Sequence, residues 1–463
     1  MVTQDMKITD AVKSALIDIL DPDRVLDQPE TLTCYAYDSF LEEAMPEAVV
    51  FPRTTEEVAA VMALATEHQI PVTARGAGTS VCGAPIPLRR GLVVCFSKMD
   101  QIIEINTRDR YAIVQPGVVN ADLQAALAPF GFFYPPDPGS MAMATIGGNI
   151  AQNAGGPRCL KYGVTLDYLL GLEAVLADGR VVRYGSRNVK DVTGYKMAAL
   201  FCGSEGTLGL TTEAIVKVVP LPETAATLTV TFNDLNDSAN AVADIIGSGI
   251  LPAAMELMDE ICIKAIEGNA KLGLDTEAAG MLLIEVDGSK EACAAELAKV
   301  IEKLEANNAK HIQKAETEAQ REELWLARRA AYGSFARLAP DILSEDVTVP
   351  VSKVPEMIRR CKSIGEKYGL TAGVLAHAGD GNMHPMFNAD RNNTEEWDRI
   401  NQAFDEIFHA AAELGGTLSG EHGVGLAKVK HLPLVMNQDS RDLMTTVKRA
   451  VDPDNLLNPG KFV

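Results

Sequence analysis

PVTARGAGTSVCG, residues 71–83, is the stretch from which the fold of this chain is read. PVTAR has strand character and runs straight into a loop with glycine at 76, 78 and 83. Glycine lets backbone N–H groups come close to a pyrophosphate and tolerates the left-handed conformations of an anion-binding nest. Upstream, AVVFP from residue 48 reads as a short strand, and EEVAAVMALATEHQ (56–69) reads as a helix. Thr54 or Thr55 can cap that helix, and Glu56 and Glu57 suit its positive end. Strand, helix and strand then make a βαβ-like unit opening on the glycine loop. The loop is not a Rossmann fingerprint, because Val81 stands where GxGxxG requires its third glycine. A Walker A motif is absent as well.

Two more glycine-rich segments follow, YPPDPGSMAMATIGGNIAQNAGG (134–156) and FCGSEGTLG (201–209). Each alone is equally a tight turn, whereas three between residues 71 and 209 suggest a large phosphate-bearing ligand. Ser80, Ser140, Thr145 and Thr207 add hydroxyl donors. Short strands (GLVVCF, AIVQPG, LEAVLADGRVVRYG, LTTEAIVKVVPLP) alternate with these loops, and ADLQAALAPFG reads as a helix ended by Gly131. Residues 7–45 read as helix and then irregular chain, with Ile8, Val12, Ala15, Leu16 and Ile19 at helical spacing. PLPE at 220–223 marks a boundary, after which strands mix with longer helices near 236–248 and 289–307. The expected divisions are therefore 1–45, 46–222, 223–415 and 416–463.

A length of 463 residues calls for at least two domains, and 47% hydrophobic with 23% charged residues is ordinary globular composition. The net charge of −21 repels nucleic acid and anionic membrane, so any site for an anion must carry local positive charge. Eight scattered cysteines form no CxxC and fit a reducing cytoplasm. The N-terminus lacks the pattern of a signal peptide, and no run of about eighteen apolar residues is present to span a bilayer.

Three segments carry the chemistry. In VLAHAGDGNMHPMF (374–387), Asp380 and Gly381 suit a two-residue hairpin loop. That loop sets His377 opposite His384 on one face, where two imidazoles can share a divalent ion or be a satisfied, half-buried pair. GGTLSGEHGVG (415–425) places Glu421 beside His422 among glycines, as ligand and general base or as a surface turn. In EELWLARRAAY (322–332), Arg328 and Arg329 lie on a helix, either to clamp a carboxylate or to face solvent. His68, His311, His409 and His431 sit in polar surroundings and read as surface residues.

With PVTARGAGTS, YPPDPGS, ATIGGNIAQNAGGPRCLKYG, KDVTGYKMAALFCGSEGTLG, VLAHAGDGNMHPMF, SGEHGVG and DPDNLLNPGK in this order, the chain from about residue 30 onward resembles the FAD-linked oxidases of the vanillyl-alcohol oxidase (PCMH-type) superfamily. Within it, the likeness is to the D-lactate dehydrogenases and the flavin subunits of bacterial glycolate oxidase. The resemblance implies an α+β fold: two FAD-binding subdomains, a ferredoxin-like cap for substrate, and a C-terminal segment returning to the flavin. It implies FAD contacts at Arg75, Gly76, Ala77, Gly78, Thr79, Ser80, Pro136, Gly139, Ser140, Thr145, Gly148, Asn149, Gly155, Gly206, Ile215 and Asn458. It implies a divalent ion (Zn, Fe or Mn) on His377, His384 and Glu421, His422 as base and Arg328 as carboxylate clamp.

Two departures refine this. RGAGTS holds no histidine to which flavin can be attached, so the FAD is expected to be non-covalent. Met386 stands where relatives acting on hydroxyglutarate have asparagine, which favours a short monocarboxylate. The implied reaction is oxidation of a D-2-hydroxy acid, D-lactate before glycolate, by metal-assisted hydride transfer to flavin N5. The rival readings are a D-2-hydroxyglutarate dehydrogenase and a non-catalytic flavin subunit of an oxidase complex. Lacking iron–sulfur spacing and a nicotinamide fingerprint, the chain is expected to pass electrons to quinone or to a protein. An electron-transferring flavoprotein or an iron–sulfur subunit suits its acidic, soluble character better than direct docking on a membrane.

Overall fold

The computed structural model describes residues 8–462. Residues 1–7, where the expected N-terminal helical segment begins, lie outside the described residues. The chain divides into two compact units: 1–155 with 164–221 and 421–463, and 156–163 with 222–420.

The first unit contains two main sheets. One runs in the order Val25–Leu26, Ala48–Val50, Leu92–Cys95, Val72–Arg75, with the last three strands parallel. Its alternation sorts the side chains onto two faces. Val50, Val72, Leu92 and Val94 meet the apolar stripes of helices Asp10–Leu20 and Thr55–Glu67, whereas Val49, Val93 and Cys95 pack with Leu32. Thr54 caps the second helix, accepting a hydrogen bond from the Glu57 amide at 3.2 Å. The other sheet is antiparallel, in the order Ile102–Asn106, Tyr111–Val114, Leu210–Lys217, Leu169–Val175, Val181–Gly185.

The C-terminal segment returns to the first sheet. The Asn458 amide donates to the Val72 carbonyl at 2.7 Å, and Leu457 is in the core beside that strand. Buried Lys448 reinforces the return, donating to the carbonyls of Thr207 and Leu457, each at 2.8 Å, and pairing with Asp452.

The second unit is built on an eight-stranded antiparallel sheet. Its order is His311–Lys314, Thr224–Phe232, Gly280–Gly288, Ala254–Asp259, Ala372–His377, Asn382–Ala389, Asp341–Ser344, with Val347–Thr348 also on Asn382–Ala389. Helices Glu260–Ala270 and Glu318–Phe335 cover one face, where Ile263, Ile266, Ala327, Ala331 and Phe335 pack on Met258, Leu375 and Met386. Residues 156–163 are drawn into this unit by chemistry that the sequence does not advertise. The Tyr162 hydroxyl donates to Asp287 at 2.7 Å, and the Lys161 ammonium donates to the Asp287 carbonyl at 2.6 Å.

Candidate active site

Register brings the first group of site residues together. In the central hairpin, His377 is paired with Asn382, and His384 with Leu375. The loop is therefore the four residues 378–381, not Asp380–Gly381 alone. A two-residue type I′ loop needs positive φ at both centres, and only Gly381 has it, at 87°. Asp380 keeps negative φ and uses its carboxylate to accept from the Asn382 amide at 3.1 Å. The expected direct pairing of the histidines is thus corrected to a diagonal one. Diagonal neighbours share a face, and the two rings stand edge to face with centroids 5.2 Å apart.

Glu256, which the sequence reading missed, lies directly opposite His377 on the neighbouring strand. Its Oε1 meets His377 Nδ1 at 2.8 Å. Its Oε2 accepts from Arg328 Nε at 2.5 Å, the arginine reaching down from helix Glu318–Phe335. Burial raises the pKa of the Glu256 carboxyl, but the neighbouring His377 and Arg328 outweigh it and hold the group below its ordinary value. Helical phase sends the two arginines to different surroundings. Arg328 is mostly buried, at 14% side-chain exposure, whereas Arg329 is 52% exposed and paired with Glu322.

Glu421 follows Gly420, whose amide donates to the fully buried Asp346 at 2.6 Å. Ser419 Oγ donates to the same carboxylate at 2.9 Å. His377, His384 and Glu421 each offer one ligand atom, and these atoms lie within 4.8 Å of one another. Two imidazoles and a carboxylate are an appropriate donor set for Zn, Fe or Mn. Beyond His422, the amides of Val424 and Gly425 donate to Glu205, at 2.7 Å and 2.9 Å. Asp346 and Glu205 were also missed, since an acidic residue that holds the backbone amides of a distant loop leaves no pattern in sequence. Of the histidines expected at the surface, His431 is instead buried, in the short 3-10 helix Val429–Leu434.

The glycine loops fit a flavin nucleotide by two observations. A Cβ on Gly76 would lie 2.4 Å from Thr145 Oγ1, so the first and second loops meet only because this residue is glycine. Asn149 is 2% exposed, and its Nδ2 has no hydrogen-bond partner among the described residues. Such a buried donor suits a polar ligand. Gly206 is buried with φ of 71° in the third loop, and Ile215 is on the less buried face of its strand. Two of the expected contact residues, Arg75 and Asn458, also hold the fold together. The Arg75 guanidinium donates to the Tyr37 carbonyl at 2.7 Å and stacks over Tyr35, so that its side chain ties down the 34–37 segment. The Asn458 side-chain Nδ2 donates to the carbonyls of Ala84 and Glu205, at 2.9 Å and 2.7 Å, which occupies both of its N–H groups.

Burial pushes the Glu205 carboxyl up to about 7, against the lowering effect of the Val424 and Gly425 amides. The folded state then keeps a proton that the unfolded chain releases near the ordinary carboxyl value of 4.5. Stability therefore falls as pH rises from about 4.5 through about 7, by about 3 kcal/mol in all. The Glu205→Gln variant is expected to lack this slope, gaining on the wild type by that amount between pH 4 and 8. Denaturant melts across that range test it; parallel stability curves would refute it.

Residues 221–462 match the family described as FAD linked oxidases, C-terminal domain, and residues 46–185 match an FAD binding domain. The chain is 45% identical over 456 residues to the glycolate oxidase subunit GlcD of Bacillus subtilis, covering 98% of this chain and 97% of that protein. It is 35% identical to a D-lactate dehydrogenase of Archaeoglobus fulgidus, covering 90% of this chain and 91% of that protein. Among solved structures, p-cresol methylhydroxylase superposes with a TM-score of 0.81 at 21% identity, over 97% of this chain and 95% of its own, a likeness of fold.

Proposed function

The chain belongs to the FAD-linked oxidases, and within that family we propose that it is an FAD-dependent dehydrogenase of a small D-2-hydroxy acid, D-lactate before glycolate. The observation that carries this reading is the convergence of His377, His384 and Glu421 on one point. FAD held on the glycine loops would supply the acceptor for the Cα hydrogen and its two electrons, transferred together as hydride, and a divalent ion held by His377, His384 and Glu421 would supply polarisation of the substrate hydroxyl.

The protein's own groups do the rest. Arg328 engages Glu256 only through Nε, which leaves its terminal nitrogens to fork onto the substrate carboxylate. His422 takes the hydroxyl proton on a ring nitrogen, and the product is the 2-oxo acid. Met386, fully buried two positions after His384 and so on the same face, supports an apolar wall suited to a short side chain. The relatives named as subunits support delivery of the electrons to a protein acceptor, an electron-transferring flavoprotein or an iron–sulfur subunit. Among the described residues no helix is long and apolar enough to cross a membrane, and all eight cysteines are free. Both observations accord with a cytoplasmic enzyme.

The test is anaerobic addition of D-lactate to the purified protein while the visible absorption of the flavin is followed. Bleaching by D-lactate, abolished by prior chelation and restored by added Zn or Mn, is the expected result. A flavin untouched by D-lactate and glycolate alike would sink the small-acid reading.

A further inference from the structure

Glu256 bridges two parts of the proposed site. Its side chain is wholly buried, on the sheet face that also carries Met258, Leu375 and Met386. A carboxylate in such surroundings is tolerated only when both oxygens are well paired. The pairing here is complete: Oε1 meets His377 Nδ1 at 2.8 Å, and Oε2 accepts from Arg328 Nε at 2.5 Å.

We propose that Glu256 is a positioning residue that fixes the ligand tautomer of His377 and the orientation of Arg328 through one carboxylate. An ionised carboxylate only accepts hydrogen bonds, so it holds the His377 proton on Nδ1 and makes Nε2 the ligand atom. The same group anchors the Nε edge of Arg328 and turns the terminal nitrogens to the substrate carboxylate. Metal affinity and substrate binding then depend on one residue that touches neither ion nor substrate. The inference rests on the metal-assisted reading above and extends it.

Glutamine discriminates sharply, since its amide has one accepting end and one donating end. If the amide oxygen keeps Arg328, the NH₂ group faces His377 Nδ1 and drives the ring proton to Nε2, blocking the ligand atom. If the oxygen keeps His377, the NH₂ group confronts Arg328 Nε–H and displaces the clamp.

The experiment compares wild type, Glu256→Gln and Glu256→Asp as FAD-loaded proteins, with flavin content as the check on folding. Each is stripped by chelation and titrated with Zn and Mn by calorimetry, and kcat and KM for D-lactate are measured in excess metal. Glu256→Gln is expected to bind metal about 10–100-fold more weakly, with kcat recovering as metal is raised, or to raise KM about tenfold or more at normal metal affinity. Metal affinity and KM both unchanged would overturn the proposal. If the glutamine variant loses FAD, Glu256→Asp decides. Its shorter arm cannot reach both partners, so weaker metal binding or a raised KM is expected, and wild-type values of both would overturn the proposal. A wild type that binds no metal would instead overturn the reading on which the inference rests.

Discussion

Replacing His422 with alanine is expected to slow substrate-driven flavin reduction by about 10²–10⁴-fold, the usual worth of a positioned general base, while FAD stays bound. The backbone around His422 is held on both sides. Before it, the Gly420 amide is fixed on Asp346 at 2.6 Å, and after it, Val424 and Gly425 are fixed on Glu205. A side chain carried by so constrained a backbone has few positions to sample, which is what a base must have to meet its proton at the right distance. Removing the imbidazole leaves those anchors intact, because every one of them is made to the main chain of other residues. The tie to the third glycine loop is made by the Val424 and Gly425 amides on Glu205 and not by the imidazole, so FAD content is expected to be unchanged. Stopped-flow mixing with D-lactate under anaerobic conditions measures the step directly. Bleaching at the wild-type rate would remove His422 from the chemistry.

The parts of the site that sequence made legible are those encoded in short segments. The Asp-Gly turn and the seven-residue spacing of the histidines are enough to place His377 and His384 on one face. The loop is two residues longer than a two-residue turn, which moves the register by an even step and preserves the face; an odd slip would have separated them. The register itself depended on φ at Asp380, which a dipeptide preference does not determine. Glu256 was illegible for a different reason. Within the buried strand Ala254–Asp259 it is one of two acidic residues, with Asp259, and nothing in the sequence ties it to a histidine on another strand. The choice between Arg328 and Arg329 likewise awaited the phase of their helix, and the direction of Arg75 awaited the carbonyl groups of the 34–37 segment. In each case the missing information was tertiary: which side chain a given strand or helix face meets.

A comparable loss of different origin is expected from His384→Ala, which removes a ligand rather than a proton acceptor. His384 is 6% exposed, and its ring lies against that of His377. Of the three candidate donors, only His377 and Glu421 would remain, too few to hold a divalent ion firmly with substrate oxygens completing the shell. An ion acting on the substrate hydroxyl contributes several kcal/mol to the transition state, so its loss corresponds to about 10³-fold or more in kcat/KM. Unlike chelation of the wild type, which added metal reverses, this loss is expected to persist at high Zn or Mn. His384 and the glycine loops belong to different compact units, so the variant is expected to keep its flavin spectrum while losing its metal on elemental analysis. That combination separates a ligand from a merely buried histidine. A structural histidine would lower the melting temperature on removal, yet leave metal content and the response to chelation as they were. If His384→Ala retains both its metal and its turnover, the convergence of His377, His384 and Glu421 is a packing arrangement, and the reaction must draw its activation of the hydroxyl from elsewhere.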